Sequence, residues 1–267
     1  MTYSQKPADK PHRWVLDEPV IPADLPILYE DQAIIAVDKP HFLPTMPRGM
    51  WYKSTAVMTM RERTGNDSLI PAHRLDRMTA GVLILVKEPQ YRKMYQMLFQ
   101  SRQVHKTYQC LAPIRPASRP RLGLVGHVWS RKGEDNNLSV DVTDLSFPLL
   151  RSSHITKKRG ILQAYEEAEA INAVSLITIS SHQSSHALNK GLRSYTLHPL
   201  TGKTHQLRVH MTSLGLPIDG DNWYPQVEER AYDDFSRPLQ LIAREISFTD
   251  PVTGQEQIIR SNRPFII

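Results

Sequence analysis

Cysteine is almost missing from this chain: Cys110 is the single one among 267 residues. A disulfide within the chain is thereby excluded, and a cysteine-based zinc site lacks its other ligands. Long apolar runs are missing as well. No segment approaches the roughly 18 consecutive apolar residues that a bilayer crossing needs. Met1 to Lys10 is polar, without the apolar core of a secretory signal. The expectation is a cytoplasmic protein with no membrane partner. A Gly-rich phosphate loop is also absent, so nucleotide-cofactor chemistry has no motif to rest on, and no cofactor is expected.

What is present suits a soluble globular protein: hydrophobic residues make up 40 % and charged residues 22 %, enough for a real core. The formal net charge of +6 favours a polyanionic partner, nucleic acid first, although an ordinary basic enzyme fits the same number.

Residues 1–26 are rich in proline and charge and read as an extended N-terminal arm, with a compact domain over 27–267. Ala33 to Val37 is a short apolar run stopped by Asp38-Lys39-Pro40, a buried strand running into a loop. Thr55 to Arg63 reads as a short helix capped by Ser54 and stopped by Gly65. Gly81 to Val86 is the clearest strand. Over Pro89 to Gln100 the helical spacing of Met94, Met97 and Leu98 predicts a core-facing stripe. Lys106 to Ala112, Ala168 to Ile179, Gly191 to Leu197, 239–248 and 255–260 read as further strands, and Thr204 to Leu214 as a helix ended by Gly215. The polar stretch 130–160 reads as exposed hairpins or a mobile insertion. The sum is α+β, many strands with few helices.

Two polar segments stand out. In Pro71 to Gly81, His73, Arg74, Asp76, Arg77 and Thr79 crowd into a loop leading straight into the most apolar strand. A loop on a rigid strand is a common seat for catalytic groups; the same cluster could be a surface ion-pair network. In Leu197 to Met211, Lys203, His205, Gln206, Arg208 and His210 gather at a turn and helix start, which suits an anion. His205 and His210, five apart, fall on different faces of a helix, so no metal is expected there.

These segments carry a specific resemblance. His73-Arg-Leu-Asp-Arg-Met-Thr-Ala-Gly81 resembles the central motif of the RluA-type RNA pseudouridine synthases: His-Arg-Leu-Asp, two variable residues, then Thr-Ser-Gly. Ile27-Leu-Tyr-Glu-Asp and Ala36-Val-Asp-Lys-Pro40 resemble the opening strands of that family. Lys106-Thr-Tyr-Gln-Cys-Leu-Ala112 resembles its lysine-x-tyrosine strand. Thr201 to His210, followed by Gly215-x-Pro-Ile-x-Gly-Asp221, resembles its long C-terminal motif, and Leu239 to Pro251 with Thr253-Gly254 its closing strands. The departures are Ala80 for serine, Asp38 for asparagine, His41-Phe42 for Ala-Gly, and Ile242 where histidine is common. Residues 1–26 are too short for the S4-type RNA-binding domain that often precedes this fold.

The resemblance implies the pseudouridine synthase fold, a mixed, largely antiparallel sheet with flanking helices and a central catalytic cleft. It implies isomerisation of chosen uridines in structured RNA, ribosomal or transfer: uracil leaves the ribose, turns, and rejoins through carbon-5, with neither cofactor nor metal. Asp76 is implied as the essential carboxylate at C1′. Arg208 is implied to pair with that acid, Tyr108 to lie against the target base and shuttle a proton, and Arg74 to fill the gap left when the uridine flips out. His73, Lys39, Lys106, Lys203 and His205 complete the expected RNA-binding set, the two histidines as structural hydrogen-bonders. Arg48, Lys53, Arg115, Arg119 and Arg121 are further phosphate candidates. Leu241 or Ile242 is expected as an apolar wall, and a monomer is the default. The rival readings are an RNA binder without catalysis, a glycoside or nucleoside hydrolase with paired carboxylates, and a metal-dependent nuclease.

Overall fold

The computed structural model describes residues 18–49, 51–129, 139–231 and 233–267. Strands β1 (Ile27–Glu30) and β2 (Ile34–Lys39) open the domain, followed by helix α1 (Ala56–Thr64), β3 (Ile70–Pro71), β4 (Ala80–Val86) and helix α2 (Pro89–Gln100). Then come β5 (His105–Pro113), β6 (Leu124–Trp129), β7 (Ser139–Asp141), β8 (Leu149–Thr156), β9 (Tyr165–Glu167) and β10 (Ala173–Ile179). Helix α3 (Ser185–Asn189), β11 (Leu192–Pro199), helix α4 (Gln206–Ser213), β12 (Leu241–Thr249) and β13 (Glu256–Arg260) complete the order.

The strands form one mixed sheet in the order β1-β2-β4-β12-β5-β11-β10-β8-β6-β7. Its described pairings are antiparallel except that of β4 with β12. That parallel pairing holds at two positions only, Ile242 with Ala80 and Ala243 with Gly81. Beyond them β4 diverges from β12, and the short β3 pairs with the far end of β4. The sheet is therefore two halves joined at one crossing, and the segment between β3 and β4 emerges there. All seven residues of β4 are buried, as their unbroken apolar run demands.

The apolar side chains gather on both faces of the sheet. Val82, Ile84 and Val86 pack with Tyr95 and Leu98 of α2, whereas Leu83 and Leu85 pack with Val57 and Met60 of α1. This alternation is the period-2 geometry of a strand buried on both sides. Cys110, Tyr195 and Leu197 lie beneath Leu207, Met211 and Leu214 of α4.

Three local expectations change. Helix α1 is capped by Thr55, whose hydroxyl accepts from Met58 N, and not by Ser54, whose Oγ donates to Pro19 O. Helix α2 buries Tyr95 and Leu98 but turns Met94 and Met97 outward, so the methionine stripe is not core. Within 130–160, residues 130–138 lie outside the described residues, but β8 is a buried interior strand. Its Arg151 is fully enclosed, donating to Leu122 O, Leu124 O and Ser152 O and pairing with Glu166. Of the expected arm, residues 18–26 pack on the domain: Glu18 accepts from the backbone N–H groups of Tyr52, Lys53 and Ser54. Residues 1–17 lie outside the described residues.

The crossing requires glycine. Gly81 has φ +112°, and a Cβ there would meet Ala243 O at 2.2 Å. Gly81→Ala is expected to cost on the order of 3 kcal/mol or more, whereas Gly65→Ala, left-handed but in open space, should cost only about 1–2 kcal/mol. Urea unfolding midpoints of the two variants measure the difference.

Candidate active site

Asp76 sits on the β3–β4 connection, and the backbone of that connection is held almost atom by atom. Ala72 N donates to Ile84 O at 2.9 Å, and Ile84 N donates back to His73 Nε2 at 3.2 Å. The next four carbonyls each have a donor. Leu75 O accepts from Thr45 Oγ1 at 2.8 Å, Asp76 O from Thr79 N at 3.1 Å, Arg77 O from Lys39 Nζ at 3.3 Å, and Met78 O from His41 Nδ1 at 2.8 Å. Three of these donors come from residues 39–45, so the loop after β2 is a cradle for the loop bearing Asp76. A side chain on a backbone so constrained is aimed by its supports. The Asp76 carboxylate itself stays accessible, its side chain 37 % exposed.

Around that carboxylate stand groups from four other segments. Its negative charge acts on Lys39, on Tyr108 of β5, on His205 and Arg208 at the start of α4, and on Tyr224. His205 Nε2 is 3.9 Å from Asp76 Oδ2. Burial pushes the His205 pKa down to about 4, with Asp76 opposing the shift, so the ring is neutral near pH 7. Burial, reinforced by Asp76, pushes the Tyr108 phenol well above its ordinary value, which keeps it protonated. Burial brings Lys39 down to about 7, against the pull of Asp76.

Arg208 is almost fully buried, at 1 % side-chain exposure, and its direct partner is Asp221, not the expected Asp76. Nε donates to Asp221 Oδ2 at 2.8 Å and Nη2 to Asp221 Oδ1 at 2.6 Å, a two-pronged pair. Trp223 and Tyr224 lie against the guanidinium, with ring centroids at 5.1 and 5.0 Å. Burial opposes the charge, but the Asp221 hydrogen bonds and charge override it, with Asp76 adding at longer range, and the pKa rises.

The expected RNA-binding set divides. Lys39 is fully buried and donates to Pro40 O, Leu43 O and Arg77 O; three carbonyls absorb the ammonium, which therefore cannot grip a phosphate. His73 stacks on Phe99 at 4.5 Å and accepts from Ile84 N, with burial taking its pKa down to about 3; it bolts the loop to β4. His205 is buried against Trp223 and Tyr224. By contrast Arg74 and Lys203 are exposed, with no ion pair among the described residues. Lys106 is partly buried and lines a cleft of about 330 Å³ with Arg102, His105, His198 and Gly202. Arg48, Lys53, Arg115 and Arg121 are exposed, while Arg119 is committed to Val142 O and Thr143 O. Leu241 and Ile242 are core residues rather than a wall of the cleft. His210, the other histidine of α4, is enclosed between Ser153 and Ser175.

The folded chain is similar to a solved human protein, RNA pseudouridylate synthase domain containing 1, with a TM-score of 0.59 at 22 % identity, covering 94 % of this chain and 88 % of that one. The class of the fold is thus that of the pseudouridylate synthases. The family model for RNA pseudouridylate synthase matches residues 33–213. The chain is 26 % identical to the dual-specificity RNA pseudouridine synthase RluA of Haemophilus influenzae over 90 % of its length and 94 % of that protein's. It is 30 % identical to the RluA of Vibrio vulnificus over 84 % of its length and 78 % of that protein's. The chain belongs to the RNA pseudouridylate synthase family.

Sequence reasoning overlooked Asp221, Thr45 and Tyr224 as site residues. Asp221 had a signal: it is the acid that closes the Gly215-x-Pro-Ile-x-Gly run. Thr45 had none, because a threonine in a proline-rich loop announces no partner.

Asp221→Ala would leave the Arg208 charge buried without a counter-ion and should cost about 3–5 kcal/mol of stability, read from urea unfolding. For Lys39, a pKa near 7 when folded and near its ordinary 10.5 when unfolded means the unfolded chain binds more protons between those values. Stability contributed at this site therefore rises with pH through that window and is lowest below pH 7. The stability difference between wild type and Lys39→Met should accordingly shift in favour of wild type from pH 7 to pH 9.

Proposed function

We propose that Asp76 is the essential carboxylate of this RNA pseudouridine synthase, acting at ribose C1′ of the target uridine, by addition to the sugar or by removal of the neighbouring proton. The observation that carries this reading is the convergence of Lys39, Tyr108, His205, Arg208 and Tyr224 on one accessible carboxylate. A surface ion-pair cluster would not surround an acid with buried groups from four other segments. Tyr108 lies against the base, and Arg208, fixed by Asp221, supplies positive charge beside the acid.

Arg74, exposed two residues before Asp76, fills the stack vacated by the uridine, since C1′ and C5 are out of reach inside a helix. Lys106, Lys203, Arg48, Lys53, Arg115 and Arg121 meet phosphates. The substrates are structured ribosomal or transfer RNAs, read by shape and unpaired bases. The RluA proteins it resembles are named for dual specificity, which favours more than one target.

Pseudouridine mapping of total RNA from cells with and without the gene, complemented by wild type or Asp76→Asn, tests the reading. One or a few sites should vanish on deletion and return with wild type alone; their return with Asp76→Asn would overturn the role of the acid.

A further inference from the structure

The hydrogen bonds of Tyr224 fix the tautomer of His205. The phenol oxygen accepts from Ala164 N at 2.7 Å, lies 2.8 Å from Ala164 O, and lies 2.9 Å from His205 Nδ1. A phenol has one proton. Two oxygens at 2.8 Å need that proton between them, so it goes to Ala164 O. The contact with His205 is then made by an Nδ1–H donating to the phenol. A neutral imidazole has one N–H, hence Nε2 carries a bare lone pair. That lone pair lies on the Asp76 side, 3.9 Å from Oδ2, too far for a direct hydrogen bond, and no other described residue hydrogen-bonds it.

The backbone is arranged for this orientation at a cost. His205 has φ +55°, a left-handed conformation that residues with a β-carbon rarely adopt. Trp223 and Tyr224 hold the ring at 5.2 and 5.8 Å. A strained residue over-determined by its surroundings at the edge of a reacting group is a candidate for function.

The reaction needs such a group. As uridine becomes pseudouridine, the N1–C1′ bond breaks, the C5–C1′ bond forms, and C5 must lose its proton. Asp76 is engaged at C1′. The Tyr108 phenol is held protonated, the Lys39 ammonium is spent on three carbonyls, and Arg208 remains a cation on Asp221. His41 also has a bare Nε2, but that atom is buried out of reach. Only His205 among these combines a free lone pair with proximity to Asp76. Nε2 and the carboxylate therefore border the same C1′, and a base on that side needs to approach the carbon newly bonded to C1′ only to about 3–3.5 Å.

We propose that His205 Nε2 is the base that takes the proton from carbon-5 of the reattached uracil. The C5–H electron pair forms the C5–C6 double bond, the π pair of the N1–C6 double bond returns to N1, and the proton passes to Nε2. The resulting imidazolium is stabilised by the Asp76 carboxylate and passes the proton to water, from which N1 takes its own. The neutral state of the ring before reaction agrees with this role. The assignment rests on the proposed action of Asp76 at C1′.

The test uses the full chain and total RNA from cells lacking the gene, grown on ordinary or 5-deuterated uridine. His205→Gln is expected to slow pseudouridine formation about 10²-fold or more while RNA binding is retained. The rate should become sensitive to deuterium at C5 beyond any sensitivity of the wild type. His205→Gly suits the left-handed backbone and opens the space of the ring, so added imidazole should restore part of its rate. Variants that fold and bind RNA but slow equally on both RNAs, with no response to imidazole, would reduce His205 to a positioning residue and overturn the proposal. Variants as fast as wild type overturn it too. If wild type itself forms no pseudouridine, the reading of the whole site fails with it, an outcome distinct from an active wild type with isotope-insensitive variants.

Discussion

Two backbones that touch set the terms for everything else in this molecule. At Gly81 and Ala243 the halves of the sheet meet over two paired positions, and no side chain can be placed between them. Beyond that point β4 and β12 share no further described pairing. The β3–β4 connection enters β4 at this same end, and Asp76 on it stays accessible although the strand it leads into is wholly buried. The cradle from residues 39–45 then removes the freedom that a loop would otherwise have. Four successive carbonyls are occupied, leaving the carboxylate as the polar group with somewhere else to point.

Basic residues in this chain fall into two populations with opposite physics. Lys39, Arg151 and Arg208 are enclosed, and each has its charge absorbed by carbonyls or by one carboxylate. Such charges are expensive to bury and become rigid internal struts once paired. Arg74, Lys203, Arg48, Lys53, Arg115 and Arg121 are exposed and produce the outward field that attracts a polyanion. Net charge alone does not tell the populations apart, which is why Lys39 was expected among the phosphate-binding residues and is found inside.

The parts of the architecture visible in the sequence were those with strong local patterns. The unbroken apolar run of β4, the full span of α2 and the Gly215 stop all lie where their patterns put them. The motif blocks brought the site segments together by resemblance, not by any rule of spacing. What stayed hidden depended on tertiary partners. The charged residues around β8 made a buried strand look solvent-facing, and the burial of its Arg151 is made tolerable by Glu166 and by the carbonyls of Leu122, Leu124 and Ser152. The outward turn of Met94 and Met97 follows from where Tyr95 finds Asp250, 155 residues on, and no helical period encodes that choice. The Arg208–Asp221 pair was out of reach for the same reason: Arg208 could neutralise either Asp76 or Asp221, and the folded chain, with Trp223 and Tyr224 packed on the guanidinium, pairs it with Asp221.

Asp38, beside the cradle lysine, accepts from Ser261 Oγ at 2.7 Å and from Asn262 N at 2.8 Å, across 223 and 224 residues of chain. During synthesis β2 and the cradle leave the ribosome long before Ser261 is made. Until then a carboxylate destined to be buried has no donors, and enclosing it unpaired is costly. The support of the Asp76 loop is therefore completed by a segment 223 residues further along the chain. An RNA pseudouridylate synthase so arranged completes the support of its candidate site only once that later segment has been synthesised.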